Sequence, residues 1–138
     1  MTSRLTWCDR TLLTSSCHFA LCTTDKAFQR ELRRLKVDQD VTFMKNAHSA
    51  ATTHIFECEV AGRKKHCAIV CMPVPPSDRT GIQIAALLVH EAMHIWRCVR
   101  HDLGEHDPSS ELEAYAMQNI SQELMQAYAD QVKPKRKR

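Results

Sequence analysis

The sequence predicts an α+β domain made of a packing helix, a short three-stranded, mostly antiparallel sheet, a long helix and a C-terminal helix. Three observations carry this. Apolar residues recur at helical spacing over 25–36, 79–101 and 108–129. Residues 41–72 switch to β-branched and alternating patterns. Pro73, Pro75 and Pro76 separate the two kinds of segment, because proline cannot donate to a ladder.

Residues 1–23 show no clear period and are expected to be an irregular lead-in. Thr24 is a suitable N-cap for a helix over 25–36. In it Phe28, Leu32 and Leu35 form one face, while Gln29, Arg30, Arg33 and Arg34 point elsewhere. Three strands are expected in VTFMKNA, THIFECEVA and HCAIVCM, the last two joined by a turn at Gly62. Phe56, Cys58 and Val60 alternate with Glu57 and Glu59, so that strand has one wet face. HCAIVCM is apolar throughout and reads as an interior strand.

Ser77 or Asp78 is expected to cap the long helix over 79–101, with Gly104 beyond its end. Pro108, in a first turn capped by Asp107 or Ser109, opens the final helix to about residue 129. Residues 1–132 are expected to form one domain and 133–138 a flexible basic tail.

Composition narrows the function classes. The 43% hydrophobic and 25% charged residues are the balance of a globular chain. No apolar run reaches the ~18 residues of a membrane span. The N-terminal stretch MTSRLTWCDRTLLTSSCHFALC is interrupted by Asp9 and Arg10 and lacks a signal-peptide core, so a non-exported, cytoplasmic protein without a membrane partner is predicted. Seven cysteines in no close CxxC pair predict free, mostly buried thiols. Positive charge is concentrated in KPKRKR, whose five basic residues exceed the net +3 of the whole chain; the near-neutral remainder predicts no nucleic-acid surface apart from contact through that tail, and such runs are commonly just solvated.

The chemistry sits in LLVHEAMHIW, residues 87–96, where two histidines and a glutamate interrupt an apolar run. At about 100° per residue, His94 lies about 40° round from His90, and Gln83, Arg97 and His101 fall within about 20° of it. One narrow polar stripe therefore runs along an otherwise apolar helix and should line a cleft. His90 and His94 can aim two imidazoles at one ion, while Glu91, about 100° away, can reach a water on it. Three ionisable groups in such a run are costly to bury unpaired, which favours a zinc site over a chance HExxH.

A catalytic zinc site usually has three protein ligands and an open position. His101 lies ~10 Å along the axis from His94, too far for the same ion. The metzincin pattern is excluded, because Arg97 and Arg100 stand where it needs Gly and His. In the final helix Ala116, Met117, Ile120, Leu124 and Ala127 fall within about 60° of Glu113, so this carboxylate is centred on the apolar face and needs a partner. Glu111, about 160° away, reads as a solvated acid complementing the helix dipole. Glu113 could serve the dipole too, or pair with Ser110 in a capping box. Cys67, Cys71, Cys98 and His106 are lesser ligand candidates.

LVHEAMH followed by SSELEAYAMQNISQEL resembles the gluzincin metallopeptidases, in which a Glu on a second helix follows HExxH. ELEAYA also resembles the Glu-bearing helix of ImmA/IrrE-type small zincins, and GEHDPSSELEAYAMQNISQEL is similar to small HExxH proteins of phages and prophages. The resemblance covers about residues 80–128. It implies a minimal zincin-like fold, Zn²⁺, metal ligands at His90, His94 and Glu113, and Glu91 as catalytic acid/base, with a peptide or protein as substrate. Met117 departs from the Asp that thermolysin-type enzymes place four residues after the ligand Glu, so Asp102, Glu105 or Asp107 would have to orient the imidazoles. His106, His101 and Tyr115 are candidate oxyanion donors, although Tyr115 projects about 160° away from Glu113. A zinc-stabilised, non-catalytic binding or structural module is the competing expectation. Trp7 and Trp96 are expected in packing roles, and His18, His48, His54 and His66 on the surface.

Overall fold

A computed structural model describes residues 4–11, 13–74 and 78–133. Strands β1 (Leu5–Trp7), β2 (Cys17–Cys22), β3 (Thr52–Val60) and β4 (Arg63–Cys71) form one mixed sheet. Its order is β1-β2-β4-β3, with β2 parallel to β4 and the other neighbours antiparallel. Helix α1 (Asp25–Arg34) packs on one face; α2 (Gly81–Asp102) and α3 (Ser110–Val132) pack on the other. The class is α+β as expected, and the sheet, though still mostly antiparallel, is four-stranded rather than three-stranded, with one parallel pair at its centre.

Two strand expectations are corrected. The supposed lead-in contains β1 and β2. In β2, Phe19 and Leu21 enter the α2–α3 core, while Ala20 and Cys22 enter the α1 core. A strand covered on both faces has no polar alternation, so CHFALC looks patternless. VTFMKNA, in contrast, forms no strand. Val41, Phe43 and Met44 pack against the α1 cluster, with Phe43 5.9 Å from the Phe28 ring. Asn46 then turns the chain, its side-chain oxygen accepting from the His48 amide and the Ser49 hydroxyl at 3.0 Å each.

The β3–β4 hairpin is as expected. Ala61 and Gly62, with φ of 51° and 74°, form the two-residue left-handed turn that matches strand twist. Phe56 and Cys58 are buried while Glu57 and Glu59 are exposed, and residues 67–72 are buried throughout.

Thr24 caps α1, accepting from the Ala27 amide. The cap of α2 is Thr80, not Asp78, and a reciprocal bond with Gln83 completes a capping box. Ser109 caps α3, the second of the two expected positions, and α3 runs to Val132. Gly104, at φ 71°, reverses the chain between α2 and α3. Ser77, Pro75, Pro76 and the tail beyond Lys133 lie outside the described residues. Near the end of α3, the buried Gln131 donates to Thr6 Oγ1 at 2.9 Å and to the Leu21 carbonyl at 3.0 Å, and accepts from Thr23 Oγ1 at 2.8 Å. Its amide is satisfied and joins α3 to the first two strands.

The cysteine expectation is also corrected. Cys58 and Cys67 form a disulfide within the hairpin, with Cα atoms 6.3 Å apart; Cys8, Cys17, Cys22, Cys71 and Cys98 are free. Register explains the pairing. Cys58 is opposite Lys65, so Cys67 is its diagonal neighbour on the same face. No helix among the described residues is long and apolar enough to cross a membrane.

Candidate metal centre

Helix α2 exists because Leu88, Ala92, Ile95, Trp96 and Val99 bury one broad face against β2, β4 and α3. Fixing that face fixes the rest. Glu91 falls inside, 3% exposed, while His90 and His94 fall outside. The expected stripe of Gln83, His90, His94, Arg97 and His101 is indeed on one side, and all five residues are exposed. The expectation that the helix is otherwise buried is too strong: Ile82 and Val89 are exposed as well.

The His90 and His94 rings lie 5.3 Å apart, edge to face at 71°. One donor atom from each of His90, Glu91 and His94 lies within 4.8 Å of the others. Neither ring has a hydrogen-bond or ion-pair partner among the described residues. Oε2 of Glu91 accepts from Thr53 Oγ1 at 2.6 Å. Thr53 belongs to β3, a sheet edge. A buried carboxylate needs such a donor, and the bond aims it toward the two imidazoles. The two imidazoles suit a borderline divalent ion such as Zn²⁺, which takes imidazole nitrogen at about 2.0–2.1 Å, and the Glu91 carboxylate lies close enough to reach a water on it.

Glu113 is not brought to this group. Its Oε2 accepts from Trp96 Nε1 at 2.7 Å and lies 3.7 Å from Arg100 Nη1, with the side chain 39% exposed. Trp96 and Arg100 sit about 240° and 280° round α2 from His90, and ~9 and ~15 Å along it. The orientation inferred from the apolar face is thus correct in that Glu113 turns toward α2, and Ala116, Ile120, Leu124 and Ala127 are buried as expected. The axial register differs. A short α2–α3 connection sets the first turn of α3 beside the last turns of α2. Met117, Gln118 and Ser121 then line the groove beside Val89, next to His90.

The remaining candidates lie elsewhere. His101 is exposed, its Nδ1 3.8 Å from Asp102, and Asp102 is 2.8 Å from His66 Nδ1. Asp102 stands eight residues past His94, ~12 Å along the helix, too far to orient its imidazole. His106 is exposed in the loop after α2 and Tyr115 is exposed on α3. Of the lesser ligand candidates, Cys67 is in the disulfide, Cys71 is buried under α1 and Cys98 contacts Asp102. His54 is a packing residue, stacked on Phe28 at 5.0 Å. The sequence does not reveal Thr53 as the partner of Glu91. Its only signal is parity: Thr53 alternates with His54 and Phe56 and must face away from α1 once the strand is placed.

No protein-family model matches the chain, and neither a curated protein nor a solved structure does. The functional reading therefore rests on the site itself.

Proposed function

We propose that the chain is a zinc-dependent metallopeptidase in which His90 and His94 hold the ion and Glu91 is the general acid/base. The observation that carries this is the convergence within 4.8 Å of two solvent-facing imidazoles and one buried, anchored carboxylate. When bound, the ion supplies Lewis-acid polarisation of a carbonyl and a water acidified toward neutral pH. Glu91 is held at one oxygen by Thr53 and keeps the other to accept a proton from that water and pass it to the leaving amine. Strand β3 favours a peptide over other substrates. It is an edge strand tied to the catalytic carboxylate, so an extended chain adding to it would be read through its main chain beside the site.

One observation favours a second reading, a zinc-stabilised module without turnover. Glu113, the third ligand implied by the gluzincin resemblance, is engaged by Trp96 and Arg100. Glu91→Gln separates the two. With a peptide library read by mass spectrometry, a peptidase loses about 10²–10⁴-fold in rate while retaining zinc. Absence of cleavage by the zinc-loaded wild type, or equal cleavage by the variant, refutes the catalytic assignment.

A further inference from the structure

A second constellation lies at the other end of α2. In the parallel β2–β4 ladder Cys17 is the direct partner of His66, so their side chains share the face that α2 covers. Over them α2 presents Cys98 and Asp102, one turn apart on the same side. Single donor atoms of His66, Cys98 and Asp102 lie within 4.8 Å of one another. His66 Nδ1 is 2.8 Å from Asp102 Oδ2, and Cys98 Sγ is 3.9 Å from the same oxygen.

We propose that His66, Cys98 and Asp102 form a second zinc site, distinct from the HExxH centre. A thiolate, an imidazole and a carboxylate supply three of the four tetrahedral positions of a Zn²⁺ site, the fourth being open to water. With Zn–S near 2.3 Å and Zn–N or Zn–O near 2.0 Å, neighbouring ligand atoms in such a site lie about 3.3–3.8 Å apart, between the two separations above. The His66 and Asp102 side chains are 31% and 17% exposed, so the donor atoms are partly withdrawn from water. A cleft of about 240 Å³ bordered by Ser16, Lys65, His66 and Asp102 gives it an entry path. The ion cannot be the one at the histidine pair, since Cys98 and Asp102 stand ~6 and ~12 Å past His94 along the helix. It would clamp the middle of β4 to the last turns of α2, elements far apart in sequence.

The test is Co²⁺ titration of the full chain carrying His90→Ala and His94→Ala, under a thiol-free reductant, so that failure of the HExxH site cannot mimic failure of this one. One Co²⁺ per chain with a thiolate-to-cobalt charge-transfer band is expected. Cys98→Ser should abolish the band, and His66→Gln or Asp102→Asn should weaken binding more than about tenfold. The last two positions are partly exposed and keep the test valid if Cys98→Ser fails to fold. Cys58→Ser with Cys67→Ser should leave the band intact. Absence of the band in the folded double-alanine protein, or its survival in both Cys98→Ser and His66→Gln, overturns the proposal.

Discussion

The Thr53 hydroxyl reaches Oε2 of Glu91 across 2.6 Å, joining an edge strand to the carboxylate between two exposed histidines. Thr53→Val keeps the shape and removes the donor. A hydrogen bond to a charged group contributes about 1.5–3 kcal/mol, and loss of one partner strands the other in the interior. Urea unfolding at neutral pH should show a loss of that order, with Thr53→Ser close to wild type. An unaltered midpoint for Thr53→Val would mean that the bond does not hold Glu91.

Trp96 and Glu113 form a second buried-to-polar link, the indole donating at 2.7 Å. Glu113→Gln leaves an acceptor oxygen for the indole, so the metal-free protein should lose less than about 1 kcal/mol, whereas Trp96→Phe removes the donor and should cost about 1–3 kcal/mol. Zinc affinity reads a different property. If Glu113 swings to the histidine pair when the ion binds, Glu113→Gln lowers affinity while stability without metal holds. If affinity is equally untouched, Glu113 is solely the partner of Trp96 and Arg100.

Buried thiols give the fold an alkaline limit. Desolvation pushes Cys8 from 9.0 up to about 12 and Cys22 up to about 11. With a raised folded pKa the native chain keeps protons that the unfolded chain releases, so this stability is complete below about pH 9 and declines as pH rises toward 11–12. The melting temperature should fall over that window. Cys8→Ala should flatten the decline, and an identical slope would contradict the assignment.

What was legible in the sequence follows from how residues are covered. Phe56 and Cys58 alternate with exposed glutamates, so β3 announces itself; CHFALC is covered on both faces and does not, although it is a central strand. The HExxH stripe could be read because helical spacing alone places His90, Glu91 and His94. Glu113 could be oriented but not placed along the axis, since its level depends on the length and turn geometry of the α2–α3 connection. Cys17 and His66 meet only through a parallel pairing between strands some fifty residues apart, which no local period records.

The central claim is that one divalent ion is held by the imidazoles of His90 and His94. Zinc content per chain of purified wild type, His94→Ala and Glu91→Gln, measured side by side, tests it most directly. The account predicts that His94→Ala carries one equivalent less than wild type and that Glu91→Gln carries the same amount. Equal zinc in wild type and His94→Ala, with both proteins folded, would contradict it.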